Sequence, residues 1–415
     1  MWSRTALVLF MTLTPSWAFD LVREYAGSTF FDRWDFYGYW DNLTLGNVTY
    51  LSATEATTTN LAYVNSEGHA IMRVDNYTYV QPGGTRNSVS TAVYRVLKYI
   101  ERRNAQIRIT SQDFYDYGSL WVIDLLHIPY GCSVWPAFWS KGPLWPDDGE
   151  IDIIEAINMM SFNQMALHTT AGCTHDPSIP QTGRNTFTDC SQGSGCVVAE
   201  TKPNSYNSGF AAAGGGVWAT QFDVSGIYMW YWSRPDVPPS ITQANSTSPI
   251  DISTWGLPSA SYPTTNTCNI SNYFTAQQLV FDITLCGDWA GVPGIYNNDC
   301  AHSGTTGTCY GNNVVGPGSP TFDNAYFEVS YVRAYTTGEP QPTSTSASTN
   351  SLSTTASGAG SAPATFTGVP GAGSQNPTPP SLAGTGSGKS SASTFFVDTQ
   401  FIAFALVAMM FTLLA

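Results

Sequence analysis

The chain has 415 residues and a formal net charge of −14, from 16 Lys and Arg against 30 Asp and Glu. That length can bury a substantial core, and that charge argues against partners that need a basic face, such as nucleic acid or an anionic membrane surface. Charged residues make up only 11% of the chain, against about 25% in ordinary soluble domains, while aromatics reach 13%. The balance suits a secreted protein that handles a neutral polymer.

Residues 1–18 read as a secretory signal. Arg4 gives the positive start, residues 6–13 are apolar, and Ser16 and Ala18 put small side chains at a cleavage site. The apolar stretch falls short of the roughly 20 residues that a membrane span needs. Between Phe19 and Tyr335 there is no long 3.6-period segment and no repeat. Short runs bounded by Gly, Pro, Asn and Asp predict strands over 70–74, 107–110, 120–125, 149–156, 164–169, 217–223, 227–232, 279–284 and 325–335. Such a series predicts an all-β sandwich with its chemistry on one sheet face. Segments 171–216 and 234–276 lack periodicity and hold several cysteines, so they are expected as stapled loops.

The most informative stretch runs from Trp135 to Glu155. Glu150, Asp152 and Glu155 occur within six positions, separated by Ile151, Ile153 and Ile154, in a charge-poor chain. The isoleucines predict a buried strand. Alternation puts Glu150 and Asp152 on one side, and a β-bulge at Ile153-Ile154 would restore Glu155 to that side. Three acids on one face repel, so at least one must hold its proton, which is the pairing a glycosidase uses. Four strand steps separate the outer Cα atoms by roughly 13 Å, whereas the carboxyls of a retaining pair lie about 5–5.5 Å apart. Sheet curvature and long Glu side chains must close that gap. The competing readings are a calcium site or a solvated edge strand. Calcium loops set their acids among Gly and Asn rather than Ile, and the consistent isoleucines disfavour an edge.

Trp139, Trp145 and Trp289 are candidate sugar platforms, whereas Trp135 is expected in the core. His168, one strand downstream, can reach the acids; His69, His127, His175 and His302 are expected to be structural. No metal or cofactor is expected. The pH profile should be bell-shaped on the acidic side of neutrality.

From 336 to 394, Ser and Thr supply 25 of 59 residues, a composition that cannot bury a core and reads as an O-glycosylated stalk. Residues 395–415 end in an apolar run from Phe401 and carry small residues upstream, at 386–392. They read as a GPI-attachment signal in preference to a transmembrane helix, because Asp398 blocks the run and no basic tail follows. The expected address is therefore the cell surface or wall, with the membrane reached only through a GPI lipid and the protein a monomer. Eight cysteines without zinc spacing predict disulfides, with 105 full pairings open. Asn42, Asn47, Asn76, Asn245 and Asn269 lie in glycosylation sequons.

Glu150-Ile-Asp152-Ile-Ile-Glu155 resembles the signature of family-16 glycoside hydrolases in its bulged, laminarinase-like form. The similarity extends to Gly27–Phe36, Trp135–Trp139, Leu167–Cys173 and Tyr326–Tyr335, and is strongest to fungal endo-1,3(4)-β-glucanases. It implies a concanavalin A-like β-jelly-roll sandwich with a concave cleft and a retaining mechanism. Glu150 would be the nucleophile, Glu155 the general acid/base and Asp152 their assistant, with Trp139, Trp145 and His168 along the sugar subsites. The implied substrates are β-1,3-glucans and mixed β-1,3/1,4-glucans. Two alternatives stay open: a wall-remodelling transglycosylase, which the bulge disfavours, and a glucan-binding wall protein, which retention of all three acids disfavours. Residues 90–106 depart from the family pattern and carry five charges in 17 residues. They are expected to be either a surface hairpin or short helix, or translated intron, the second being favoured.

Overall fold

Val, Ile, Leu and aromatic residues at alternate positions bury one side of a strand, and stacking two such sheets buries both inner faces. The computed structural model describes residues 18–89 and 109–337. The expected secretory signal at 1–18 except Ala18, the segment 90–106, the expected Ser/Thr-rich stalk at 336–394 except Thr336 and Thr337, and the apolar end lie outside the described residues; Ala18 opens a strand and Thr336 closes one.

The described residues form an all-β sandwich of two large antiparallel sheets. The sheet that carries the site has eight strands in the spatial order Arg184–Asn185, Cys196–Ala199, Gln164–His168, Glu150–Glu155, Val134–Lys141, Gln278–Leu285, Ile109–Ser111 and Trp34–Asp35. The acid strand, Glu150–Glu155, is therefore central, flanked by Gln164–His168 and Val134–Lys141. The second sheet has nine strands, among them Ser119–His127, Gly216–Asp223, Gly226–Ser233 and Tyr326–Thr336. Phe138, Ile151, Ile153, Ile154, Met165 and Leu167 from the first sheet meet Trp121, Ile123, Trp218, Tyr231 and Val332 from the second in one buried core. Burying each of the aliphatic, Met and Phe side chains contributes about 1.5–3 kcal/mol.

Every strand expected from periodicity is present within a few residues, apart from the part of 107–110 outside the described residues. Periodicity overlooked Val134–Lys141, because Pro136 interrupts it. The proline is tolerated because it lies just past the last pair with the acid strand, Ala137–Glu155, where no donor is needed on that side. Segments 171–216 and 234–276 are stapled as expected, but they also contribute the strands Cys196–Ala199 and Ala260–Pro263. Part of the second segment covers the outer face of the nine-stranded sheet, where Trp255 and Ile241 pack on Trp230, Trp232 and Val217.

All eight cysteines pair: Cys132–Cys300, Cys173–Cys268, Cys190–Cys196 and Cys286–Cys309. No helix among the described residues is long and apolar enough to cross a membrane.

Candidate active site

The acid strand follows Gly149, whose φ of +76° favours glycine and whose Cβ position would lie 2.3 Å from the Phe274 ring. Ile151 then points into the core. On the Gln164–His168 side, Asp152 pairs with Ala166 and Glu155 with Gln164, so Ile153 and Ile154 together oppose the single Met165. This is a β-bulge. Both isoleucines are buried in the core, 1% and 0% exposed, and the side-chain parity slips by one residue. Glu155 consequently returns to the face that Glu150 and Asp152 occupy, and all three line one cleft of about 590 Å³.

His168 pairs with Glu150 across the strands. Its Nε2 lies 3.2 Å from Asp152 Oδ2 and 3.8 Å from Glu150 Oε1. Burial alone would lower the imidazole pKa, but the Asp152 carboxylate and the charges of Glu150 and Glu155 outweigh it and push it up to about 10. His168 is thus an imidazolium at neutral pH and offsets part of the negative charge gathered here. Gly195 leaves room for it, since a Cβ there would sit 2.9 Å from His168 Nε2.

Glu155 is lifted in the opposite sense. Withdrawal from water raises its pKa first and the Asp152 charge second, while His168 and the Trp135 indole act against them; the result is about 8. At neutral pH Glu155 is therefore a carboxylic acid, able to donate a proton.

Among the described residues, Glu150, Asp152 and His168 offer donor atoms within 4.8 Å of one another, the set a cation could use. A protonated imidazole has no lone pair to offer from the nitrogen facing the acids, so His168 serves here as the cation itself.

The four tryptophans take different places. Trp145 stands 41% exposed on the cleft rim. Trp139 lines the cleft but is 2% exposed, its Nε1 donating to Asp282 Oδ2 at 3.0 Å. Trp289 lines the cleft and meets Trp135 edge-on, with ring centroids 5.3 Å apart. Trp135, expected in the core, packs in a small buried cluster but also lines the cleft, and its Nε1 donates to Glu155 Oε1 at 3.0 Å. Of the other histidines, His127 stacks on Tyr326 and bonds its carbonyl. His69 pairs with Glu328 and His175 packs on Tyr262.

Sequence reasoning missed several cleft groups. Asp282 and Asp288 are further acids on the lining, and the strand of Asp282 gave no cue beyond a polar residue between Phe281 and Ile283. Residues Ser191–Ser194 form one wall, held by the Cys190–Cys196 bridge, and the close cysteine spacing was a usable signal. Leu43 and Thr44 form another wall. Their loop folds on Asp41, whose carboxylate accepts from the N–H groups of Leu43, Thr44 and Gly46 and from the Thr284 hydroxyl.

A family model described as "XgeA-like, catalytic GH16 domain" matches residues 34–335. A probable endo-1,3(4)-β-glucanase of Aspergillus niger is 35% identical over 346 residues, 81% of this chain and 43% of that protein. The chain thus spans less than half the length of this relative. Laminarinase 16A of Phanerochaete chrysosporium, solved with 6-O-glucosyl-laminaritriose in donor and acceptor sites, is 33% identical, with a TM-score of 0.66 over 77% of this chain and 99% of its own. An elongating GH family 16 β-1,3-glucosyltransferase is 34% identical, with a TM-score of 0.65 over 77% of this chain and 100% of its own.

Proposed function

The chain belongs to the GH16 glycoside hydrolases, and from that membership we propose that it cleaves β-1,3-glucans and mixed β-1,3/1,4-glucans by endo-acting, retaining hydrolysis. The observation that carries this reading is the bulge, which sets Glu150, Asp152 and Glu155 on one cleft face with Glu155 as the protonated member.

In the first step a Glu150 carboxylate oxygen attacks the anomeric carbon. The bond to the glycosidic oxygen breaks, and the Glu155 proton passes to that oxygen as the reducing-end fragment leaves. Forming the glycosyl ester cancels the Glu150 charge, one of the charges that raise the Glu155 pKa. Glu155, now a carboxylate, takes a proton from water. The hydroxide oxygen attacks the same carbon, Glu150 leaves, and the β configuration is restored. Asp152 and His168 hold the charge balance between the two glutamates. Exposed Trp145 and the partly exposed Trp289 offer aromatic faces to sugar C–H groups. No cofactor takes part in either step.

The test uses the purified protein with laminarin and barley β-glucan, then with a labelled oligosaccharide acceptor. New reducing ends without labelled product support hydrolysis. Labelled product with few new ends assigns transglycosylation, in which a sugar hydroxyl replaces water; binding without either product assigns a lectin. Glu150→Gln is expected to lose about 10⁴-fold or more in kcat while still binding glucan. Near-parent activity in that variant removes Glu150 from the nucleophile role.

A further inference from the structure

The bulge that returns Glu155 to the cleft also takes backbone groups out of the sheet ladder. On the Val134–Lys141 side, Phe138 pairs with Ile154 and Trp139 with Asp152, so Ile153 has no partner residue there. A buried carbonyl or N–H displaced in this way needs another partner.

Asn163 supplies partners on both sides of the bulge. Its Nδ2 donates to Ile153 O at 3.0 Å, and its Oδ1 accepts from Glu155 N at 2.9 Å. The same Nδ2 donates to Gln164 O at 3.0 Å. Asn163 is itself held in place: its N–H donates to Ser205 Oγ at 3.1 Å, and its carbonyl accepts from Glu200 N at 2.9 Å. Asn163 and Ser205 are both fully buried, and neither lines the cleft. A planar primary amide is the side-chain group of this size that presents a donor and an acceptor together; Asp lacks the donor and Leu lacks both.

We infer that Asn163 is a positioning residue that locks the bulge and thereby aims Glu155, with Ser205 keeping Asn163 in register. The inference rests on the acid/base role proposed for Glu155. A side chain that touches no substrate would then govern the proton-transfer steps and leave nucleophilic attack by Glu150 largely intact.

The experiment compares Asn163→Ala and Glu155→Ala in the full-length protein on two substrates. On laminarin, Asn163→Ala is expected to lose about 100-fold in kcat with KM nearly unchanged. On 2,4-dinitrophenyl β-laminaribioside, whose leaving group needs no proton, the burst of dinitrophenolate should stay within about 3-fold of the parent rate. The steady state that follows should be slow, because water is poorly deprotonated. Azide should accelerate it: azide attacks the anomeric carbon of the glycosyl ester without needing a base, and the Glu150 carboxylate leaves. Glu155→Ala should show the same pattern.

Parent-like laminarin turnover in Asn163→Ala overturns the inference. So does a burst that falls as far as laminarin turnover, while Glu155→Ala keeps the pattern and the acid/base reading stands. If Glu155→Ala itself lacks the pattern, the acid/base reading fails and takes this inference with it. Should Asn163→Ala fail to fold, Ser205→Ala decides. A loss of about 10-fold on laminarin with azide acceleration supports the clamp, and a parent-like profile overturns it.

Discussion

Glu155 and His168 titrate out of their ordinary order: the carboxyl keeps its proton up to about 8 and the imidazole up to about 10. The acid spacing alone suggests an activity optimum on the acidic side of neutrality, and burial of Glu155, invisible in the spacing, moves the alkaline limb upward. Catalysis needs Glu155 protonated, so kcat/KM should fall as pH rises through about 8. The positive His168 holds the Glu155 pKa down. His168→Gln removes that charge, so the alkaline limb should move to higher pH, along with a lower maximal rate. A pH–rate profile of both proteins checks this, and an unmoved or acid-shifted limb in the variant contradicts the charge coupling.

At the scale of single elements, the bulge was legible because three acids at uneven spacing on an isoleucine strand admit few other ways of sharing a face. Asn163 was not legible, because an asparagine between two strands looks like any turn residue until the ladder shows what it bonds. Pro136 hid its strand for a related reason: its missing donor matters only where the neighbouring strand continues. The apolar bulk of Trp135 points to the core, and only the fold shows that its N–H reaches Glu155. The disulfides separate stability from activity. Cys173–Cys268 closes a sequence separation of 95 residues and Cys190–Cys196 one of 6. On chain-entropy grounds, replacing the first pair by alanine should cost about 4–5 kcal/mol and the second about 2 kcal/mol. The second pair, however, holds the Ser191–Ser194 wall of the cleft. Thermal melting and KM on laminarin should therefore rank the two pairs in opposite orders; the same rank in both measurements contradicts that division of labour.

For the whole molecule, the strand series made an all-β sandwich legible. What that series left open was which sheet faces carry covers, because the outer cover at Trp255 comes from a segment with no periodicity of its own. We propose that the two ends of the chain set the protein's address. The signal at 1–18, the Ser/Thr-rich stretch at 336–394 and the apolar end at 395–415 support export, a spacer and a GPI lipid added within 386–392. Every named cleft residue lies on one chain, which supports the proposal of a monomer. Treating membranes of expressing cells with a phosphatidylinositol-specific phospholipase should release laminarin-cleaving activity into solution. Activity that stays with the pellet and yields only to detergent would point to a transmembrane end.

Trapping the covalent intermediate tests the arrangement of the acids most directly. A 2-deoxy-2-fluoro laminaribiosyl fluoride slows both steps but releases fluoride without an acid, so the glycosyl ester should accumulate, and peptide mass spectrometry should find it on Glu150. A label on Asp152 or Glu155, or turnover of substrate with no ester formed, would contradict the roles that the bulged strand assigns.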